Sequence, residues 1–297
     1  MKDYFQKISD KLFNSLEKHE ILVLNFDAEK TDFVRFNHAK IRQAGNVNQA
    51  TLTLNLIFKK KTLTSVIRLS TDFEKDSVLL IRTLYYLRRE IPELPKDPYL
   101  MYEQNINSFE KNIIGSKLDN YSITGNILDN CHALDMVGIL SSGTIMKGFA
   151  NSLGQFNWHE SESFNFDWSM YAESGKAIKQ NYSDQEWNQE VFSHLLSESK
   201  EKLKVIDNKE IILEPGKYRV YLSPSALNEI VDMLSWGGFS YKANKIGSSP
   251  LHLMEKGEKN FSKIVSFSEN LSNGISPKFH SDGFIKPEKT KYHVVLF

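Results

Sequence analysis

Cysteine is almost missing from this chain: Cys131 is the only one among 297 residues. An intrachain disulfide is therefore excluded. Cys131 reads as a small buried apolar residue of a reducing compartment, in preference to a reactive thiol. An excess of charge is also missing. Lys+Arg and Asp+Glu both number 37, so the formal net charge is zero. That argues against broad electrostatic attachment to nucleic acid, although a local patch could survive it. No apolar run approaches the ~20 residues needed to span a bilayer. The opening stretch MKDYFQKISDKLF is charged and amphipathic, unlike a signal peptide. A cytoplasmic protein is expected. There is no GxSxG, and glycines 143, 148 and 154 do not form a phosphate loop after a strand. Internal repeats and low-complexity tracts are absent as well.

Hydrophobic residues make up 40% and charged residues 25%, ordinary values for a globular protein. The length suggests about two domains. Asp3, with Gln6 as its capping-box partner, opens a first helix whose stripe is Phe5, Ile8, Leu12 and Leu16, ending near Lys18-His19. Ile21 to Phe26 reads as a short buried strand. Phe33–Asn37 and Lys40–Gly45 read as a tight hairpin turning at His38-Ala39. Ala50, Leu52, Leu54, Leu56 and Phe58 alternate with polar residues, the cleanest strand of the chain. Lys59-Lys60-Lys61 reads as a solvated turn, and Leu63 to Leu69 as the partner strand. With no room for crossovers, the sheet should be mostly antiparallel. Thr71 and Glu74 suggest a capping box for a helix from about Phe73 to Arg89, with Val78, Ile81, Leu84 and Tyr85 inward. Pro92, Pro95 and Pro98 mark a linker.

Beyond the linker, Asn107–Leu118 is a weak helix candidate and Ser122–Ile127 reads as extended. Asp135–Gly154 reads as a hairpin broken at Ser141-Ser142-Gly143 and closed at Asn151–Gly154. Gln155–Tyr171 carries Phe156, Trp158, Phe164, Phe166 and Trp168 at even spacing, a pattern read as core in preference to a ligand platform. Ser183 and Glu186 suggest a capping box for a helix bearing Trp187, Val191, Leu195 and Leu203. Lys217–Leu222 reads as a strand. Ser223 as N-cap and Pro224 at the first helical position start a helix with Leu227, Ile230, Val231 and Leu234 inward, ended by Gly237-Gly238. The expected class is α+β: an N-terminal, mostly antiparallel sheet with helices on one face (1–98), then a β-rich second domain with inserted helices (99–297).

Four stretches occur in an informative order. FVRFNHAKIRQAG resembles the opening hairpin of the TldD/PmbA family, whose two homologous subunits form a bacterial zinc metalloprotease. GFANSLG resembles the close of that family's middle hairpin. VYLSPSALNEIVDML is similar to the strand and helix that follow, and SPKFHSDGF to its Phe-Asp-Asp-Glu-Gly loop. The resemblance implies contacts to substrate or partner at Arg35, Arg42, Gly45, Asn151, Ser152 and Gly154. For the two arginines, the residues themselves allow binding of a peptide carboxylate or plain solvation.

In the TldD branch the corresponding helix carries His-Glu-X-X-X-His, which can hold zinc and supply a general base. Here it offers Glu229 and Asp232 and no histidine. The resemblance therefore implies the TldE/PmbA branch: no catalytic residue and no metal ligand in this chain, with zinc and hydrolysis in a TldD-like partner, and proteolysis of a peptide enclosed between them. His159-Glu160 looks like the start of a zinc motif, but Ser163 stands where the second histidine belongs. A surface or edge pair without metal is expected there. Family members extend well past the equivalent of Phe297, so the β-rich domain is expected to be incomplete relative to the family. A stand-alone peptide- or protein-binding module is the alternative. The family's older gyrase-modulator label would imply a DNA-associated regulator, against which the zero net charge argues. A membrane partner is not expected.

Overall fold

A computed structural model describes residues 1–113, 119–262 and 264–293. Two compact units emerge. One comprises Met1–Lys209 with Ile275–Lys286, and the other Glu210–Gly274 with Pro287–Phe297. A boundary at residue 98 is not what the structure draws, because strands on both sides of it pair directly.

The larger unit begins with α1 (Lys2–Phe13), followed by three long strands: β1 (Glu20–Asn37), β2 (Lys40–Phe58) and β3 (Lys61–Leu69). Two-residue turns join them. His38 and Ala39 at φ 48° and 51°, and Lys59 and Lys60 at φ 51° and 66°, take the left-handed angles that match strand twist. Then come α2 (Phe73–Glu90), β4 (Phe109–Ile113), α3 (Asn120–Cys131), β5 (Met136–Asn151), β6 (Phe156–Tyr171), β7 (Ala177–Asp184) and α4 (Gln189–Ile206). The strands form one sheet in the order β3-β2-β1-β5-β6-β4, with β7 also on β6. Pairing is antiparallel except between β4 and β6. The α+β class holds, but the strands expected of a separate domain continue the first sheet.

Side chains on a strand alternate between faces. Along β1, β5 and β6 the even-numbered positions turn toward the helices. At one end Leu22, Leu24, Phe26, Ala50, Leu52, Leu54, Leu56, Met146 and Trp158 pack against Phe5, Ile8 and Leu12 of α1 and Leu80, Leu84 and Leu87 of α2. At the other end Phe36, Met136, Leu140, Phe164, Phe166 and Trp168 pack against Ile123 and Ile127 of α3 and Phe192 and Leu196 of α4. The aromatic stripe is core, and Cys131 is buried within it. Burial pushes the Cys131 thiol up to about 11, so it is an inert apolar filler at neutral pH.

Several local expectations are corrected. The segments 21–26 and 33–37 belong to one strand, as do 40–45 and 50–58. Ser141-Ser142-Gly143 does not break the chain, because it lies inside β5 with ladders on both sides, facing Phe33-Asp32-Thr31 and Asn165-Phe164-Ser163. Gly143 is needed there for close approach: a Cβ would stand 2.0 Å from the Lys30 carbonyl oxygen. The residues 122–127 are helical, capped by the Asp119 carboxylate. The segment 107–118 contains β4, and its end, 114–118, lies outside the described residues.

Helix α1 is capped at Met1 without a side chain and ends at Phe13, so neither the Asp3 cap nor the end near 18–19 is found. Asp72, not Thr71, caps α2. Val78 and Tyr85 are exposed, and Asp76, Ser77, Leu80, Leu84 and Leu87 turn inward. Asp76 is buried because it accepts four hydrogen bonds: from the Tyr4 hydroxyl, the Ser70 amide and hydroxyl, and the Thr71 amide. Asn188 caps α4, and the Ser183–Glu186 box gives way to the end of β7.

The smaller unit holds α5 (Pro224–Ser235), α6 (Tyr241–Lys245), α7 (His252–Glu255) and a ladder of β8 (Ser266–Asn270) with β9 (Lys289–His293). The Ser223 cap and Pro224 start are as expected, and Gly237 follows the helix end at φ 83°. The residues 217–222 are not a strand, and Leu227, Ile230 and Val231 are exposed where burial was expected. The apolar end after His293 lies outside the described residues.

Gly143→Ala should lower the unfolding free energy by about 2–4 kcal/mol in a urea melt, since backbone must shift. Gly125→Ala in α3, where nothing lies within 4 Å of the new carbon, should be neutral or stabilising by up to about 1 kcal/mol.

Candidate functional site

The odd-numbered positions of the same strands make the opposite face, and most of them are polar. Asn25, Asp27, Glu29 and Thr31 of β1 continue into Arg35, while Ser141 and Lys147 of β5 and Asn165, Asp167 and Ser169 of β6 stand beside them. Because α1 to α4 pack on the even-numbered face, among the described residues no helix of the larger unit covers them. They are half-buried or exposed, held by neighbours on the sheet. Lys147 pairs with Asp27, and the Asp167 carboxylate accepts from Asn165 at 3.0 Å and Asn181 at 2.9 Å.

One end of this face is sealed by a strap, residues 275–286, closed on itself by a Phe279–Ile285 bridge. Phe279 packs on Val23, Ile57 and Phe149. Gly283 sits so close to the Phe149 ring that a Cβ would come within 2.5 Å. Three polar side chains hold the strap: Asn25 donates to the Ser281 carbonyl at 2.9 Å, Gln155 to Gly283 at 2.7 Å, and His159 to Ile275 at 2.7 Å. A carbonyl can only accept, so the proton lies on His159 Nε2. Its Nδ1 is buried and unpartnered. Burial holds this imidazole below its ordinary value, and Lys111 and Lys286 add to that against the lifting effect of the Ile275 contact. His159 is 1% exposed, so the surface or edge position expected for it is corrected: it is a sealed, neutral histidine. Nearby, burial pushes the Asp282 carboxyl up, partly offset by His280.

Beside the strap lies a cavity of about 310 Å³ lined by Asp27, Thr53, Lys147 and His280. At the far, open end of the face lies another of about 440 Å³. Arg35, Arg42 and Lys179 rim it, Val137 and Ile139 supply apolar lining, and Asp167 and Ser169 are the polar lining. The structure thus brings Arg35 and Arg42 together, and adds Lys179, which the sequence reading missed. Gly45 is opposite Phe33, whose ring occupies the space a Cβ would need at 2.9 Å.

Asn151, Ser152 and Gly154 form the β5–β6 turn at the strap end, roughly 40 Å along the strands from Arg35 by strand rise. The Asn151 carboxamide oxygen accepts from the Leu153 and Gln155 amides. The Ser152 hydroxyl accepts from the Leu22 amide, and its own amide donates to Leu22. The six sequence candidates therefore divide between two places.

Helix α5 presents Glu229 and Asp232 without an imidazole, and Asp232 accepts from Asn228 at 2.9 Å. These residues do not fit a zinc site of the His-Glu-X-X-X-His kind. Among the described residues no group of three or more His, Cys, Asp or Glu could hold a metal. Among the same residues no helix is long and apolar enough to cross a membrane.

The His159 environment sets a pH dependence. The folded pKa lies below the unfolded one, so the unfolded chain takes up the proton first. Stability should fall as pH drops through the imidazole's ordinary value of about 6.5. His159→Gln should flatten that slope between about pH 6.5 and 5 in denaturant melts, and an unchanged slope would contradict the sealed neutral ring.

No family model matches the sequence, and neither does any curated protein. Solved structures do match. A candidate modulator of a DNA gyrase from Thermotoga maritima aligns over 97% of this chain and 68% of its own, with a TM-score of 0.71 at 14% identity. TldE from Thermococcus kodakarensis aligns over 97% of this chain and 67% of its own, with a TM-score of 0.64 at 11% identity. A candidate modulator of DNA gyrase from Bacteroides thetaiotaomicron aligns over 98% of this chain and 69% of its own, with a TM-score of 0.68 at 12% identity. Over nearly its whole length, then, this chain has the fold of TldE and of these two candidate gyrase modulators.

Proposed function

We propose that this chain is a non-catalytic subunit of the TldE/PmbA type, working in the cytoplasm beside a TldD-like zinc protease subunit. The observation that carries this reading is the likeness to TldE over 97% of the chain, joined to a helix α5 that carries no histidine. Its role is to hold an extended peptide on the polar sheet face while the partner's zinc supplies hydrolysis. An extended chain can pair its backbone with the outer strands β3 and β7, which gives affinity without much side-chain selection. Arg35, Arg42, Gly45, Asn151, Ser152 and Gly154 remain the residues assigned to substrate or partner contact. Of these, the two arginines face an open cavity, and the other four serve that contact by shaping strand and turn.

A second reading is favoured by a separate observation. The polar face, its strap and both cavities belong to one compact unit. A stand-alone peptide-binding module needs nothing more. DNA association, the role that the names of two structural neighbours suggest for those proteins, is the weaker reading here because the net charge is zero.

The readings separate on mixing with a TldD-like protein. A subunit should co-elute with it on size exclusion and raise peptide cleavage several-fold over the TldD-like protein alone. Equal cleavage with and without this chain, and no shared peak, would leave the stand-alone module. Salt-sensitive retention on DNA would favour the third role.

A further inference from the structure

We propose that the open cavity is a receptor for the free carboxy terminus of a peptide whose last side chain is apolar. The inference rests on the peptide-binding reading and adds an end, a direction and a side-chain class to it.

Three cationic side chains rim the cavity, and among the described residues none has a carboxylate partner. Arg35 makes only a long 3.5 Å contact to Gln43 and lies 5.8 Å over the Phe33 ring. The side chains of Arg42 and Lys179 are exposed and make no hydrogen bond or ion pair to a described residue. The one carboxylate in the lining, Asp167, is occupied by the amides of Asn165 and Asn181. Those amides hold the Asp167 carboxylate without cancelling its charge, so it offsets one of the three cations; the lining keeps an excess of positive charge, and none of its three cations is tied up in an ion pair to a described residue.

Register places the groups. Arg35 is opposite Ile139 on β5, which is opposite Asp167 on β6. Two residues along, Val137 is opposite Ser169, which is opposite Lys179 on β7. From β1 to β7 is three strand spacings, about 14 Å. That width fits one terminal residue laid across β5, with long side chains reaching in from both sides. The β1–β2 hairpin supplies the two guanidiniums, whose planar forks suit a carboxylate. The Phe33 ring under Arg35 holds one of them in place. Val137 and Ile139, half-buried on the polar face, offer an apolar floor beside them. An apolar last side chain would cover that floor while its carboxylate meets Arg35 and Arg42. Lys179 on the far wall adds attraction without a fork.

The test is fluorescence anisotropy with a labelled short peptide ending in leucine, made as free acid and as carboxy-terminal amide. The full chain should bind the acid about tenfold more tightly than the amide. Arg42→Ala and Arg35→Ala should each bring the two within about twofold, with an unchanged circular dichroism melt because both side chains are exposed. Lys179→Ala should weaken the acid less and reduce its salt dependence. Equal binding of acid and amide by the unaltered chain would overturn the proposal and leave the peptide-binding reading standing. Acetate competing as well as the peptide acid would overturn it too, reducing the cavity to a general anion site. Binding of neither peptide would overturn both this proposal and the reading beneath it.

Discussion

Strand β1 is the member on which the rest of the molecule depends. It pairs along its whole length with β2 and over most of it with β5. A strand held on both edges cannot slip without turning every side chain to the wrong face. Its even positions carry Leu22, Leu24, Phe26, Ala28 and Phe36 into two helix-covered clusters. Its odd positions carry Asn25, Asp27, Glu29 and Arg35 to the open face. One register thus fixes both the core and the candidate site. The tight crossing at Gly143, where no Cβ fits, and at Gly148, where Phe5 of α1 would be 2.6 Å from one, keeps β5 and α1 in that register.

The alternation within each strand was legible in the sequence; the extent of the strands was not. Leu52, Leu54 and Leu56 announce one buried face, and Trp158, Phe164, Phe166 and Trp168 do the same. At Ser141-Ser142-Gly143 local propensity points to a turn, and two flanking ladders overrule it, because tertiary pairing outweighs the modest preference of single residues. Likewise β7 is hidden: its residues are polar on one side and short, and only its pairing with β6 declares it. Helix α3 is weakly amphipathic, so its residues Ser122–Ile127 could pass for a strand. Lys179 was missed with β7, whereas Arg35 and Arg42 were found because the hairpin carrying them is local. The Ser223–Pro224 start was legible because a cap and a first-turn proline need no partner. The burial of Leu227, Ile230 and Val231 was misjudged, since a stripe states that a helix has an apolar side and not what lies against it.

The two ends of the polar face are built in opposite ways, and solvation explains the difference. Under the strap the ring of His159 is sealed, and a charge there would lose its water with only one carbonyl in exchange. Neutral amides and an uncharged imidazole are the groups that such a site can hold. At the far end Arg35, Arg42 and Lys179 keep their water until something displaces it. A ligand anion therefore meets cations whose desolvation is partial, and the direct contact is not cancelled by the cost of burying charge beforehand. Placing Arg35 under the strap would demand a buried counter-ion, and placing His159 at the open end would let it titrate. The sealed end thus serves rigidity, locking the β5–β6 turn to the strap, and the open end is where charge can do chemistry with a visitor. Because both ends hang on the same odd-numbered register, a peptide lying along the face would meet a neutral end and a cationic end, and its own polarity would set which way it lies.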